Sequence, residues 1–456
     1  MSAATADVVI CGAGIAGLAA AWRLAGAPGV GRVLIVDERP PLSLTSDKST
    51  ECYRNLWPGP DGAMVALMNR SIDLLDQIAA ETHNAIGLNR RGYLYCTADP
   101  KRWAEIVRAA EQAESYGAGP LRRHPGADYR PVAPEGFLEQ PGGVDLLDDP
   151  DLVRQHFPYL SADTLAAAHA RRSGWFSGHA LGTHMLERAR AQGAALTEAR
   201  LEAIEVRAGR VAAVRLAGPA GAQTVSLDHL VLAPGPFLRP LAARVGLSLP
   251  VACQLHLKAS FSDSLGAIPR QAPLLIWADE QRLAWEPEER ESLAQEPGLA
   301  WMLDELPSGA HTRPEGGGDS PMALLLWSYH ADPGEPVFPL PAEPAFAELA
   351  LRGVARMIPG LRGYLARLPR MHVDGGYYVK TPENRPLIGP TPVQGLWLMG
   401  AFAGFGLMAA PAAGELLAAH LTGGRLPDHA PAFALARYED RAYQKRLERW
   451  GSHWEL

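Results

Sequence analysis

Asp7-Val8-Val9-Ile10-Cys11-Gly12-Ala13-Gly14-Ile15-Ala16-Gly17 opens the chain, and Val33-Leu34-Ile35-Val36-Asp37-Glu38 follows after an Ala-rich stretch. The first run reads as an apolar strand feeding a G-x-G-x-x-G turn. Its spacing predicts a helix starting near Ile15-Ala16 and a second strand that ends in acid. Each glycine answers a different demand. Gly12 allows the tight turn, Gly14 lets a pyrophosphate approach the backbone, and Gly17 lets the helix pack on its strand. A pyrophosphate would sit at the positive N-terminus of that helix. At Asp37-Glu38 a carboxylate can accept hydrogen bonds from a ribose diol and would repel a phosphorylated ribose. A glycine triplet alone also serves ordinary loops. Strand, triplet, helix, strand and acid in this order indicate an adenine dinucleotide.

A chain of 456 residues with 47% hydrophobic content can bury a large core and is long enough for two or three domains. Its net charge of -7 and scattered Lys and Arg argue against nucleic acid as a partner. Cys11, Cys52, Cys96 and Cys253 are far apart, with no C-x-x-C pair and no zinc-spaced histidines, so a reducing cytoplasm and no metal are expected. No apolar run reaches membrane-spanning length, and the apolar N-terminal stretch lacks the basic flank of a signal peptide.

Residues 40–61 form an unusually long polar loop, which invites a functional reading. Met64, Leu67, Met68, Leu74, Leu75 and Ile78 then recur at helical spacing and read as core. Residues 118–149 read as loops, 182–192 as a helix, and 204–206, 211–214 and 228–232 as strands. Strands are also predicted at 274–277 and 323–327, with a mobile loop at 307–319. Near the C-terminus a strand at 395–400 leads through Ala401-Phe402-Ala403-Gly404-Phe405-Gly406 into a helix at 409–420. This second glycine turn feeds a second helix N-terminus. A flavin dinucleotide needs two such places, one for its pyrophosphate and one for the ring end that becomes negative on reduction.

The run Thr381-Pro382-Glu383-Asn384-Arg385-Pro386-Leu387-Ile388-Gly389 resembles the T-P-D-x-x-P-x-I-G signature of the D-amino acid oxidase superfamily, which includes glycine oxidase, sarcosine oxidase and D-amino acid dehydrogenase. The segment from Gly404 through Phe405, Gly406, Leu407 and Met408 is similar to its C-terminal FAD loop. The strand from Val231 to Pro234-Gly235 is similar to its A-x-G strand, so the resemblance spans essentially the whole chain. It implies an α/β fold in which a Rossmann-type FAD-binding domain (1–95, 150–250 and 371–456) interleaves with an α+β substrate domain (96–149 and 251–370). The latter is expected to contain a mixed, largely antiparallel sheet. Disulfide reductases carry a second nicotinamide-binding glycine motif, which this sequence lacks. Amine oxidases of the monoamine type carry Gly-Gly-Arg after the second strand, where this chain has Arg39-Pro40-Pro41.

The same resemblance assigns chemistry. Amine oxidation in the family mainly requires orientation and exclusion of water, since a neutral amine delivers hydride to flavin N5. Tyr378 stands where amino-acid oxidases carry a carboxylate-binding Arg, and Met408 where sarcosine oxidases carry a Lys. The flavin-linking Cys of sarcosine oxidases falls at Gly376, which implies noncovalent FAD. Leu326-Trp327-Ser328-Tyr329-His330 resembles the strand bearing an oxygen-activating Lys and a substrate-site His: His330 is kept, the Lys is Leu326, and a dehydrogenase or a poor oxidase is favoured on that ground. For His330 a structural role and a substrate contact are both open. Ser49 and Thr50 match phosphate or ribityl ligands in the family's Ser/Thr-rich loop, and Lys48 and Arg54 are candidates for ring or substrate anion contacts. Tyr377 and Tyr378 are either sheet core or pocket wall, while Lys258, Trp277 and His311-Thr312-Arg313 have a structural role as their simplest account. The reading is FAD-dependent oxidation of a C–N bond of an amine or amino-acid derivative. Two alternatives remain at this stage: a subunit that binds FAD for assembly or electron relay, in an oligomer or with a partner, and an oxidase of a hydroxy acid.

Overall fold

The opening strand, Ala4–Cys11, is buried from Val8 onward because neighbours flank it on both sides. It pairs in parallel with Val33–Asp37 on one side and with Gly221–Leu232 on the other. Strands enclosed in this way read as continuous apolar runs, which is why the segment was legible. The computed structural model describes residues 4–448 except 125–127, 132, 134, 220 and 331; the outermost parts of the expected terminal spans, 1–3 and 449–456, lie outside the described residues.

Eight strands form this first sheet, in the order Arg200–Arg207, Arg210–Gly218, Gly221–Leu232, Ala4–Cys11, Val33–Asp37 and Ala195–Glu198. Leu396–Gly400 adds to the far end of Gly221–Leu232, with Leu387–Pro390 beside it. The helix Ile15–Leu24 packs against the helix Gly406–Thr422. A Cβ on Gly414 would stand 2.6 Å from the Ala19 carbonyl oxygen, so the two backbones touch at that crossing.

Ten strands form the second sheet, ordered Pro333–Gly334, Ala252–Ser262, Met322–Leu326, Ala310–Pro314, Leu274–Trp277, Tyr93–Thr97, Ala166–Ala170, Val144–Leu147 and Leu121–Arg123, with His372–Lys380 also on Ala252–Ser262. Only Leu274–Trp277 with Tyr93–Thr97, and Leu121–Arg123 with Val144–Leu147, run parallel. Helix Phe346–Met357 buries Leu349, Leu351 and Val354 in this sheet's core. The fold is thus the α/β arrangement expected, a Rossmann-type unit interleaved with an α+β unit on a mixed, largely antiparallel sheet. Ala166–Ala170 and His372–Lys380, which the sequence reading groups with the dinucleotide-binding spans, hydrogen-bond into the second sheet. We propose that the domain division follows the sheets.

Three loop expectations change. The stretch 40–61 contains the short strand Cys52–Arg54, paired with Ser173–Trp175. The stretch 118–149 contains the strands Leu121–Arg123 and Val144–Leu147. The expected mobile loop at 307–319 contains Ala310–Pro314, paired on both sides, with Thr312 and Arg313 buried. Glycines of positive φ at 309, 316 and 318 bracket this short polar strand and disguise it as loop.

Candidate active site

Five segments distant in sequence line one cleft: the first glycine turn, the loop at 40–49, Ala233-Pro234-Gly235-Pro236, residues 377–379, and residues 399–407. The three glycines of the turn separate by cause. Gly12 has φ 112°, and a Cβ there would lie 2.3 Å from the Ala233 carbonyl oxygen. On Gly17 a Cβ would lie 1.8 Å from the Gly12 carbonyl oxygen. Both are glycine because the fold itself leaves no room. Gly14 has an ordinary φ of -71°, and a Cβ there would meet only Ser46 Oγ, at 3.2 Å. Its bareness serves the cleft, which Gly14, Ile15 and Ala16 all line.

Of the two acids expected at a ribose, Asp37 lines the cleft and Glu38 does not. Asp37 Oδ2 accepts from the Ala13 N–H at 2.7 Å and Oδ1 from the Arg39 N–H at 3.0 Å, so the carboxylate also holds the glycine turn in place. Glu38 pairs with Arg39 at 2.9 Å, which draws it to the surface. Sequence reading missed Ser46, whose Oγ accepts from the Ile15 N–H at 3.0 Å at the helix N-terminus. The contact bridges 31 residues, and nothing local to Ser46 announces it.

Ser49 lines this cleft, with its Oγ accepting from the Glu51 N–H and its carbonyl from Lys258 Nζ, each at 3.0 Å. Thr50 instead lines a second cavity, its carbonyl fixed by two donors of the buried Arg313 at 2.7 and 3.1 Å. Arg313 therefore has the structural role expected. Lys48 reaches neither space; it pairs with Asp47 at 2.7 Å and Asp374 at 2.9 Å, which removes it as an anion contact. Pro234 and Gly235 line the first cleft. At the C-terminal turn Ala401 and Ala403 take positive φ, and helix Gly406–Thr422 starts with no side-chain cap. Its opening residues Gly406 and Leu407 line the first cleft, Phe405 and Met408 the second, and Gly404 both.

Tyr378 is the wall between the two spaces and lines each of them. A Cβ on Gly404 would stand 2.4 Å from its ring. Tyr377 lines the first cleft as well, and its hydroxyl exchanges hydrogen bonds with the Val337 backbone. In the second cavity Arg54 is only 6% exposed. Its guanidinium lies 4.6 Å from the Trp57 ring and donates through Nη1 to the Tyr95 hydroxyl at 3.0 Å. Its Nε finds no partner, and among the described residues no carboxylate lies within 4.0 Å of it. A buried cation with no anion opposite is costly unless something else supplies one.

His311, which the sequence reading left as a structural outlier, also lines this cavity. Burial, with the Arg54 charge adding, pushes its pKa down to about 4. His256 lies on Ala252–Ser262, with Met322–Leu326 between it and the strand of His311, and stacks on Tyr378 at 3.8 Å. It is the cavity histidine that sequence reading did not single out. His330, by contrast, is exposed and packs on Trp301 at 4.2 Å, away from the cavity lining, so its expected substrate contact is not realised. The strand Met322–Leu326 ends before it and the chain turns outward. Leu326 does line the cavity, but its cross-strand partner is Lys258 and Lys380 lines the same cavity. The leucine therefore does not strip the site of positive charge, and the argument from it toward a dehydrogenase falls away.

The signature run is clamped from behind. Buried Glu383 accepts from Arg437 at 2.8 Å, from Tyr438 at 2.9 and 3.0 Å, and from Tyr443 at 2.7 Å. Arg385, also buried, pairs with Asp61. Between them Asn384, at φ 56°, faces the cavity.

Glycine turns from both chain ends meeting at a Rossmann-type sheet, with a cationic cavity across one tyrosine, define a dinucleotide-dependent oxidoreductase. The model of the DAO family, described as FAD dependent oxidoreductase, matches residues 7–420, and the chain belongs to that family. No curated protein matches the sequence. Among solved structures the chain is similar to L-proline dehydrogenase from P. horikoshii (19% identity, 96% of this chain and 98% of that one, TM-score 0.73). It is similar also to glycine oxidase from Geobacillus kaustophilus (18%, 94% and 98%, 0.71) and to iminodiacetate oxidase from Chelativorans sp. BNC1 (18%, 94% and 98%, 0.68). At these identities the likeness establishes the fold. No helix among the described residues is long and apolar enough to cross a membrane.

Proposed function

We propose that the chain oxidises a carbon–nitrogen bond of an amine or amino-acid derivative that carries a carboxylate, giving an imine that hydrolyses. The observation that carries this reading is Arg54, a buried guanidinium without an anion, in the cavity that Tyr378 separates from the cofactor cleft. A planar fork of donors matches a carboxylate. The three similar structures are named for a dehydrogenase or oxidases of molecules that combine an amine nitrogen with a carboxylate, which supports it.

For FAD, the bare Gly14 and the helix start at Ile15 and Ala16, where Ser46 Oγ already takes the Ile15 N–H, suit a pyrophosphate, Asp37 a ribose, and Ser49, Pro234 and Gly235 the path between. Gly404, Gly406 and Leu407 bring the uncapped helix start to the ring end. Bound FAD supplies the hydride acceptor. Arg54 then holds the substrate, and Tyr378 and Trp57 shape the wall against which it lies. Noncovalent binding is supported by the four buried cysteines, none of which lines either space. Their unpaired state also supports a reducing compartment such as the cytoplasm.

Anaerobic mixing of the purified holoprotein with amino acids, N-substituted amino acids and their decarboxylated counterparts tests the reading. Bleaching of the flavin spectrum only by carboxylate-bearing amines is expected. Bleaching by decarboxylated amines at equal rates, or by hydroxy acids alone, would overturn it. Acid precipitation should leave the flavin in solution, and yellow colour in the pellet would refute noncovalent binding.

A further inference from the structure

His256 sits on Ala252–Ser262, across from Gly376 in the paired strand His372–Lys380, and its imidazole stacks on Tyr378 with 14° between ring planes. Nδ1 lies 2.7 Å from Ser328 Oγ, while Nε2 is buried with no hydrogen-bond partner. One nitrogen is thus fixed at a polar rim and the other is left without a partner in a ring that lines the substrate cavity. A ring nitrogen buried without a partner costs free energy unless a ligand completes it.

The surroundings decide which proton state such a ring adopts. Across from His256 the strand His372–Lys380 presents Tyr378 and Lys380, and Ala310–Pro314 presents His311. Around the same cavity stand Arg54, Tyr93, Arg102 and the single carboxylate Glu280. Burial first, then the charges of Lys380 and His311, push the pKa of His256 down to about 3. The ring is neutral at physiological pH and one nitrogen carries a lone pair. With the ring proton assigned to Nδ1, which faces Ser328 Oγ, that nitrogen is Nε2.

Resting on the amine-oxidation reading above, we propose that His256 Nε2 receives the surplus proton of the substrate ammonium while Arg54 holds its carboxylate. One N–H bond of the ammonium breaks and an Nε2–H bond forms. The electron pair of the broken bond stays on the substrate nitrogen, which becomes the neutral amine able to give up hydride. The cationic cavity favours this transfer twice. It disfavours an ammonium beside Arg54 and Lys380, and the arriving carboxylate offsets the part of the penalty on protonated His256 that comes from neighbouring charges, burial supplying the rest. Ser328 is a positioning residue that holds the ring by Nδ1.

His256→Phe keeps an aromatic stack on Tyr378 and removes the acceptor. With FAD content unchanged, its anaerobic bleaching rate should fall about 100-fold at neutral pH, the scale of one positioned general base. The rate should recover as pH rises toward the free amine's own pKa. His256→Gln restores an acceptor without basicity and should show the same loss; full recovery in that variant would overturn proton transfer. Ser328→Ala, a change at an exposed site, should lower the rate more mildly and shift the acid limb of the pH profile. Labelled-histidine NMR supplies a readout independent of turnover: Nε2 of His256 should report as unprotonated at neutral pH, and a protonated Nε2 would refute the assignment. A wild-type protein that no amine or amino acid bleaches sinks the functional reading itself. A wild type that bleaches, with a His256→Phe variant of identical rate and profile, sinks only this proposal.

Discussion

The first cleft is shaped by main chain and the second cavity by side chains, and the two respond differently to change. In the cleft Gly12, Gly14 and Gly17 are defined by what they lack, and the hydrogen-bonding groups at its two helix starts belong to the backbone. In the cavity Arg54, His256, His311 and Tyr378 come from different strands and are defined by what they carry. A backbone site is hard to alter without unfolding the chain. A side-chain site can be re-specified residue by residue, which is how one fold serves many substrates.

The largest expected effect divides the glycines of one turn. Gly17→Val should prevent folding, because its Cβ would occupy the position of the Gly12 carbonyl. Gly14→Val should fold, with wild-type circular dichroism, yet bind little FAD. If both variants fold, or neither does, the separation of fold glycine from cofactor glycine is wrong. Next comes Arg54→Ala, for which the second-order rate of bleaching should drop on the order of 100-fold, the scale of deleting one partner of a buried charged pair. FAD occupancy should stay at the wild-type level, and a loss of FAD would place Arg54 in the wrong region.

Acid should also weaken the folded state. His169, His256 and His311 are held at about 3, 3 and 4 in the fold, against 6.5 for the free side chain, with burial the largest cause in each. The unfolded chain therefore binds more protons between pH 6.5 and 4. Stability is full above 6.5 and falls through that window. Urea midpoints at pH 7 and pH 5 measure it, and equal midpoints would contradict the assigned burial. The smallest effect is Tyr378→Phe. Loss of one neutral hydroxyl should slow bleaching roughly fivefold, in line with a net hydrogen bond of about 1 kcal/mol, and a rate unchanged from wild type would mean that the hydroxyl does not meet the substrate.

The same contrast explains what could be read from sequence. The glycine turn, the Ala233-Pro234-Gly235 strand end and the Gly404–Gly406 turn were legible because backbone geometry restricts residue type. Ser46 was not, since its partner is fixed only by how the 40–49 loop folds back on the first helix. His256 was hidden because pleating decides which strand residue faces the cavity, and His330 was misplaced because its strand ends at Leu326. Arg54 was picked out from its loop, but its isolation from carboxylates emerges only when Trp57, Tyr93 and Tyr95 close around it.

The contact of Ala19 with Gly414 sets a timetable for biosynthesis. The first helix is made early, but the helix that packs on it is encoded some 390 residues later. At roughly 5–20 residues per second the interval is about 20 to 80 s. Through that time the Ala-rich face of Ile15–Leu24 has no native cover. A nascent chain that has not yet reached Gly406–Thr422 lacks one of the segments that line the first cleft, so the cleft is assembled only after that helix is made.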